Sequence, residues 1–285
     1  MKVHLIEWFP SNPDQIVRQQ QDSESEFQVL PTLKVFHPGA SFLGQSAFKT
    51  DIVRTDQYIK QLVRRIGGII MSDKYILSEG LFLYPTPAGA YYAVCSNDMD
   101  KPRHFLRRIL QKESTVHLNI DSLHELTGID DPQKCYELLH RCQKLNWVQG
   151  LDTERKYPSD LLENILPGLL CNMSESNKVL LADMQGFYLA SHGFPHEVAE
   201  ELAALSADLA TIHERRSGLL MNNLGIASNA WGIIDVFGNA QIGFWPFFIG
   251  QYRFIIIISG VPHFNQPEFV DLIWALSKRY ADEGI

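Results

Sequence analysis

The chain has 285 residues, of which 45% are hydrophobic and 20% are charged, and its formal net charge is -8 at pH 7. The length suits two or three domains, and the composition is typical of a globular protein with enough apolar side chains for extended cores. The acidic balance argues against binding of nucleic acid or anionic membranes through overall charge, although a local basic patch is compatible with it. No secretory or transit signal is predicted, because Glu7 interrupts the apolar run that a signal peptide needs.

The first hundred residues are predicted to form a small α/β region, in which no family is recognised. A helix is indicated by apolar residues at helical spacing, and it ends at Gly67-Gly68. The segment from Pro85 to Gly89 is predicted to be a turn between two strands. The predicted helix spans residues 45–66, and the predicted strands span residues 3–8, 27–36, 69–71, 75–84 and 90–95.

Residues 101–152 are predicted to form a helical domain that resembles a winged helix in its element order. The predicted helices span residues 104–111, 121–126 and 131–145, and a strand follows at residues 147–151. Asn119 is the expected cap of the second helix, and Pro132 is suited to the first turn of the third. Basic side chains make this region a candidate for contacts with nucleic acid or with an acidic partner, namely Arg103, Arg107, Arg108, Lys134, Arg141 and Lys144.

The predicted recognition helix of this region begins with two acidic residues, Asp130 and Asp131. They would repel phosphates at the point where such helices usually approach DNA. A winged helix that binds protein is therefore favoured over one that reads DNA.

The four cysteines are Cys95, Cys135, Cys142 and Cys171, and no C-x-x-C pair occurs among them. Their irregular spacing fits neither a disulfide framework nor a zinc site, so we expect free thiols in a reducing cytoplasm and no bound metal. Cys135 and Cys142 are seven residues apart in one predicted helix, which favours two small core residues over metal ligands.

Residues 159–285 are predicted to form a domain with the element order α-β-β-α-β-β-β-α. Its long helix begins near His196 and carries an apolar stripe beside a face of alanines. The most apolar stretch, residues 243–261, is interrupted by Pro246, Gln251 and Arg253, and a charge near the middle of a membrane span is costly. We therefore predict two buried strands there and no membrane span. Pro246 within an interior strand would need a bulge or an irregular edge.

The first hairpin of this domain contains Asp183-Met184-Gln185-Gly186, followed by Ser191-His192-Gly193. This D-x-x-G … S-x-G pattern, the helix at residues 200–207 and the element order resemble the roadblock/LC7 superfamily over roughly the last 125 residues. The resemblance implies homodimerisation through the long helix and the third strand, and a platform for small Ras-like GTPases, dynein intermediate chains or signalling partners. It also implies a link to GTPase regulation, since some bacterial relatives act as GTPase-activating proteins.

Self-association would cover both the apolar stripe of the long helix and the edge of the sheet. The predicted dimer interface consists of Ala199, Leu202, Ala203, Ala207, Ala210, Ile233 and Asp235. The predicted contacts with a partner are two arginines of the long helix and two aromatic residues of a later strand, namely Arg215, Arg216, Trp245 and Phe247.

The phosphate-binding and catalytic motifs G-x-x-x-x-G-K-[ST], G-x-G-x-x-G, G-x-S-x-G and H-E-x-x-H do not occur in the sequence. No catalytic, cofactor-binding or metal-binding residue is therefore predicted. The first hypothesis is a cytoplasmic, non-enzymatic dimeric adaptor that binds a GTPase or a signalling protein. The alternatives are a transcription regulator with a DNA-binding winged helix and an enzyme with an unrecognised site in residues 1–100.

Overall fold

The computed structural model describes residues 5–9, 74–78 and 80–281. The chain divides into two compact units, one made of Met1–Glu7 with Ile76–Ile285 and the other of Trp8–Tyr75. Strand β1 (Ile6–Phe9) pairs with strand β2 (Lys74–Leu77) in a two-stranded sheet. The predicted strand at residues 27–36 and the predicted helix at residues 45–66 lie outside the described residues.

The region between residues 82 and 151 combines helices with a three-stranded antiparallel sheet of order β4-β3-β5. The predicted helices are confirmed with small shifts of their ends, and Asn119 and Asp131 cap two of them. The elements are β3 (Phe82–Pro85), α1 (Pro87–Val94), α2 (Lys101–Leu110), β4 (Val116–His117), α3 (Ile120–Thr127), α4 (Pro132–Lys144) and β5 (Val148–Leu151).

Helix α1 replaces the strand that was predicted at residues 90–95, so that prediction was wrong. The hydroxyl oxygen of Thr86 accepts a hydrogen bond from the Gly89 amide at 3.1 Å, and Pro87 occupies the first turn. Gly89 also lets the helix approach the next segment closely, because a Cβ there would lie 1.9 Å from the carbonyl oxygen of Trp147. Capping and close packing thus outweigh the strand preference of the tyrosines and valine in this helix.

The middle strand of this sheet is β3, which precedes all the helices of the region. In a winged helix a hairpin follows the recognition helix, whereas here β5 pairs with β3 and only an isolated bridge links Ser114 with Lys156. The winged-helix prediction therefore remains unconfirmed. The division of the chain at residue 100 also stays a prediction, since β3 pairs with strands on the other side of it.

The C-terminal elements follow the predicted order and surround a five-stranded antiparallel sheet of order β7-β6-β10-β9-β8. Helix α6 packs on one face of the sheet, against Leu180, Ile255 and Ile257. Helix α7 packs on the other face and contacts α5. The elements are α5 (Leu162–Leu170), β6 (Val179–Asp183), β7 (Tyr188–His192), α6 (His196–Gly218), β8 (Trp231–Ile234), β9 (Ala240–Ile249), β10 (Tyr252–Ser259) and α7 (Pro267–Tyr280).

The stretch at residues 243–261 forms the two predicted strands, β9 and β10. Pro246 lies in regular register opposite Ile255, so no bulge occurs there. Strand β8 pairs with β9 only as far as Phe244, so within the described residues Pro246 has no neighbouring strand on that side. The missing N–H of Pro246 therefore costs no hydrogen bond between strands. Among the described residues, no helix is both long enough and apolar enough to cross a membrane.

An aromatic cluster joins the two regions within the larger compact unit. The ring of Tyr91 on α1 lies 5.9 Å from that of Phe247 on β9 and 5.9 Å from that of Phe264. The indole N–H of Trp274 on α7 donates to the carbonyl oxygen of Lys112 at 2.8 Å. The two regions therefore share one packed core.

Candidate interaction surface

The alanine face of α6 is part of the protein core. Ala199 and Ala203 are completely buried and Ala210 is 6% exposed, and all three pack against the sheet beside Leu180 and Phe244. Small side chains suit this position because they let the helix approach the sheet closely. The prediction that these alanines form the dimer interface was therefore wrong. Ala207 is half-buried, and its Cβ lies close to Gly186.

Part of the apolar stripe of α6 points away from the core, whereas Leu202 and Leu209 pack against the buried cluster. Val198, Leu205 and Ile212 are 40%, 39% and 44% exposed, and Leu219 continues the same seven-residue spacing just beyond the helix at 50%. Leu202 and Leu209 lie half-buried beside this stripe. Seven residues are nearly two helical turns, so these side chains form one continuous outward row.

Strand β8 is the outermost strand of the sheet, and in the part of the chain that the structure describes its outer edge has no paired strand. Ile233 and Ile234 are 53% and 64% exposed on it. The register shifts between these two residues, where a bulge lets Ile234 pair with Ala240. An exposed edge with apolar side chains is a site where another strand pairs readily.

The turn between β8 and β9 displays Val236 and Phe237, which are 94% and 86% exposed. Asp235 holds this turn, since its Oδ1 accepts hydrogen bonds from the amides of Phe237 and Asn239, both at 2.9 Å. Backbone and side-chain hydrogen bonds from Asn239 lower the pKa of Asp235. Asp235 thus holds the turn, and its place in a dimer interface stays a prediction.

We call the outward row of α6, the edge of β8 and this turn the apolar surface. Val236 and Phe237 are not predicted from the sequence, although an apolar pair between Asp235 and Gly238 is an unusual turn composition that indicates an exposed contact. The apolar surface consists of Val198, Leu205, Ile212, Leu219, Ile233, Ile234, Val236 and Phe237.

Polar contacts fix α6 and β8 relative to each other. The indole N–H of Trp231 on β8 donates to Nδ1 of His213 on α6 at 3.1 Å, which requires that nitrogen to be unprotonated. Arg253 of β10 forms an ion pair with Glu214 of the same helix. The apolar surface is therefore presented by elements held together on its inner side.

The four predicted partner contacts occupy different environments. Arg215 and Arg216 are exposed in the last turn of α6. Phe247 is completely buried among aromatic side chains of the core, so its predicted role in partner binding was wrong. Trp245 is half-buried, with its ring 5.5 Å from that of Phe264.

The predicted basic contacts divide into two groups. Arg103 is 5% exposed, and its guanidinium donates to the carbonyl oxygens of Tyr92 and Asp98, so it lies inside the fold and not on a contact surface. Arg107 is half-buried and donates to three carbonyl oxygens, and burial lowers its pKa. Arg108 is half-buried, and the exposed members are Lys134, Arg141 and Lys144 on α4.

The described residues were also considered as ligands of a metal ion and as the lining of a cleft for a small molecule. Within the described part of the chain, no group of three or more His, Cys, Asp or Glu side chains could hold a metal ion. A shallow cleft of about 330 Å³ lies between residues 157–163 and the end of α7. Its charged side chains are of both signs, with Asp160 and Glu163 facing Lys278 and Arg279. This mixture selects neither an anionic nor a cationic ligand.

Fold and surface together define a mixed α and β protein with exposed apolar side chains on a long helix and on an edge strand. No family model matches the chain, and no curated protein matches it. Among solved structures, the chain is similar to the Roadblock/LC7 domain from Streptomyces avermitilis, with 16% identity and a TM-score of 0.27 over 42% of this chain and 93% of that one. It is also similar to MglB of Myxococcus xanthus, with 15% identity and a TM-score of 0.26 over 42% of this chain and 86% of that one.

Proposed function

We propose that this chain is a non-enzymatic homodimeric adaptor of the cytoplasm, with a roadblock-like C-terminal domain that self-associates through α6 and β8 and binds protein partners. The observation that carries the proposal is the apolar surface. Monomeric proteins rarely expose large contiguous apolar patches, and those that exist usually mark an interaction site.

A two-fold axis would let this surface cover itself. In a two-fold dimer the same patch of each copy contacts the other, so an apolar row on α6 meets its own equivalent. The edge of β8 gains backbone hydrogen bonds if it pairs with the β8 of the second copy, which extends the sheet across both subunits.

The free energy gained by covering one exposed leucine is large enough to change the dissociation constant of a dimer measurably. Burying a whole leucine side chain contributes about 1.5–3 kcal/mol, and Leu205 keeps 39% of its surface exposed. Covering that remainder contributes roughly 1 kcal/mol per subunit, hence roughly 2 kcal/mol per dimer from this one residue. Losing it would weaken the dimer about thirtyfold.

The mass of the protein in solution tests the dimer. We expect light scattering at micromolar concentration to give twice the chain mass of 32.5 kDa. The variant Leu205→Asp should give the mass of one chain, because it places a carboxylate in the apolar row. Phe187→Ser is the matched control, since Phe187 is 68% exposed at the β6–β7 turn, outside the apolar surface. A wild-type protein of single mass would refute the proposal.

We further propose that the partner is a small Ras-like GTPase or another signalling protein, the class that the roadblock/LC7 resemblance implies. The sequence has no phosphate-binding motif of its own, so the partner would supply the nucleotide. Purified GTPases loaded with GDP or a GTP analogue should be captured by the immobilised full chain in one nucleotide state. Equal retention by beads without the chain would refute the partner assignment and leave the dimer proposal standing.

A DNA-binding transcription regulator is the alternative, and one observation favours it. Lys134, Arg141 and Lys144 are exposed along α4, the helix that would take the recognition position. Asp131 forms an ion pair with Lys134 at 3.7 Å and reduces the basic character of that end. Duplex DNA binding that weakens steeply with salt and is lost in Arg141→Glu would support this alternative over the adaptor.

A further inference from the structure

The end of helix α6 extends beyond the body of the protein. Ala210 is the last buried residue of α6, and the helix continues to Gly218, which is about 12 Å further at 1.5 Å per residue. From residue 211 to residue 228 every residue is exposed except His213 and Leu220, which are half-buried. We call residues 215–228 the α6 tip. It is a convex projection and not the wall of a groove.

Apolar side chains lie together at the α6 tip. A π-helical turn of five residues continues α6, and in it the amide of Leu224 donates to the carbonyl oxygen of Leu219 at 3.2 Å. The amide of Ile226 donates to the carbonyl oxygen of Leu220 at 2.8 Å, so the chain folds back on itself. Leu219, Met221, Leu224 and Ile226 are 50%, 55%, 60% and 47% exposed. Exposed apolar side chains that lie together in this way mark an interaction site.

The unpaired charges beside these apolar side chains are positive. Arg215 and Arg216 are exposed in the last turn of α6, and within residues 80–281 neither forms a side-chain ion pair. The acidic residue before them, Glu214, forms an ion pair with Arg253. After Arg216 the next charged residue of the sequence is Asp235. The α6 tip is therefore cationic, although the chain as a whole has a formal net charge of -8.

The two arginines lie one helical turn behind the apolar residues. Residues four apart are neighbours on a helix surface, so Arg215 lies behind Leu219 and Arg216 lies behind Leu220. One turn rises about 5 Å along the helix axis. A bilayer surface has the same order of layers, since an interfacial apolar face is buried about 5–10 Å deep and basic side chains remain at the charged headgroups. The α6 tip therefore matches both layers.

We propose that the α6 tip inserts its apolar side chains into the surface of a bilayer that contains anionic lipid, while Arg215 and Arg216 bind the headgroups. A lipid surface deforms around a convex projection, whereas a protein partner would need a matching concave pocket. This inference goes beyond the proposed adaptor function and does not require the dimer, because Met221, Leu224 and Ile226 lie outside the apolar surface.

The projection of the α6 tip reduces the repulsion between an anionic bilayer and the acidic remainder of the chain. At 0.15 M ionic strength charges are screened over about 8 Å. The end of α6 lies about 12 Å beyond Ala210, the last residue that packs in the core. Arg215 and Arg216 therefore come within the screening distance of the headgroups while the acidic residues of the protein body stay farther away.

Co-sedimentation of the full chain with lipid vesicles tests the charged part of the proposal. The vesicles consist of phosphatidylcholine, with or without anionic phosphatidylglycerol. We expect the wild type to bind the anionic vesicles, and to bind them less as salt rises from about 0.05 M to about 0.5 M. Replacing both Arg215 and Arg216 by glutamine should weaken this binding about thirtyfold, since each basic residue near the surface contributes about fivefold. Arg279→Gln is the matched control, because Arg279 is exposed on α7, outside the α6 tip.

Leu224→Asp tests the apolar part of the proposal. Leu224 is 60% exposed, and losing its insertion should weaken binding to the anionic vesicles about tenfold. Leu161→Asp is the matched control, because it makes the same change at a leucine that is 70% exposed outside the α6 tip. All of these side chains are exposed, so the variants should unfold at the temperature of the wild type, which circular dichroism measures.

Three results would overturn the proposal. They are no binding of the wild type to the anionic vesicles, equal binding to neutral and anionic vesicles, and variants at Arg215, Arg216 and Leu224 that bind as tightly as the wild type. If wild-type binding is absent and Leu224→Asp lowers the mass measured by light scattering, a second copy covers the α6 tip instead. A wild type that binds anionic vesicles but has the mass of one chain refutes the proposed dimer and supports the lipid contact.

Discussion

Replacing Ala203 by leucine tests which side of α6 faces the core. Ala203 is completely buried between the helix and the sheet, in a cluster that includes Leu180, Ile255 and Ile257. The leucine would have to place its additional methyl and methylene groups where these side chains already pack. Ala204→Leu is the matched control, because it makes the same change at the next residue, which is exposed.

The structure sets the expected size of the effect. Overpacking a well-packed core costs about 1–3 kcal/mol, so we take about 2 kcal/mol for Ala203→Leu. That corresponds to a fall of about 4–8 °C in the melting temperature of a domain of roughly 150–250 residues. The exposed Ala204→Leu should change the free energy of unfolding by at most about 0.5 kcal/mol, since surface substitutions are usually neutral.

Urea unfolding followed by circular dichroism measures both variants at one protein concentration. We expect a lower midpoint for Ala203→Leu at an unchanged slope, and coincident curves for Ala204→Leu and the wild type. Equal stability of the two variants would show that the alanine face does not contact the sheet, and the assignment of the apolar row to the outside of α6 would fail with it.

Three further predictions concern the region before the C-terminal domain. Gly89→Ala should lower the free energy of unfolding by about 3 kcal/mol, because the new Cβ would lie 1.9 Å from the Trp147 carbonyl oxygen; equal melting temperatures would contradict this. Burial raises the pKa of Cys142 to about 12, so mass spectrometry should find Cys142 unlabelled by a thiol reagent at pH 8 in the native protein and Cys171 labelled. Burial disfavours the charge of Asp100, but hydrogen bonds from a tyrosine and an arginine outweigh it and hold its pKa below 3.8. As the pH falls, the unfolded state therefore binds the proton first, and the free energy of unfolding should decrease at pH values below about 4. Asp100→Ala should make this decrease smaller. At pH 7 the same substitution should cost about 1 kcal/mol, because the helix loses its N-cap.

The element order of the C-terminal domain could be predicted because its patterns are local. The sequence predicts a strand at residues 252–259, and β10 begins and ends at these residues. The helix that starts at Pro267 follows the preference of proline for the first turn. The sequence also predicts a strand at residues 229–237, but β8 spans only Trp231–Ile234, since pairing ends where the bulge at Ile234 redirects the chain. Local pattern thus located the elements, and pairing decided their lengths.

The faces of α6 could not be assigned from the sequence alone. An apolar stripe and a row of alanines are both compatible with a core position, and hydrophobicity alone favours the larger side chains for it. The sheet beneath α6 already supplies large side chains, among them Phe244 and Ile257, so close packing selects the alanines. Val198, Leu205 and Ile212 are left outside.

The burial of the Arg103 side chain was the other feature that could not be predicted from the sequence. Arg103 follows a lysine and a proline in a helix that also contains Arg107 and Arg108, and the segment has the pattern of a solvated basic face. In the structure Arg103 lies 4.5 Å above the ring of Tyr92, which in turn stacks on Trp147. This contact brings together residues up to 55 positions apart in the printed sequence, and no local pattern encodes it.

The aromatic cluster around Tyr91 and Phe247 has a consequence for any partner that binds at a distance from α6. These rings join the helical region to the sheet in one packed core, so we expect α4 to keep a fixed orientation relative to the apolar surface. In a two-fold assembly the two α4 helices would then lie at one fixed distance from each other. A bivalent target would be selected by the distance between its own two sites, and a mismatch of that distance would forfeit the whole gain of binding twice.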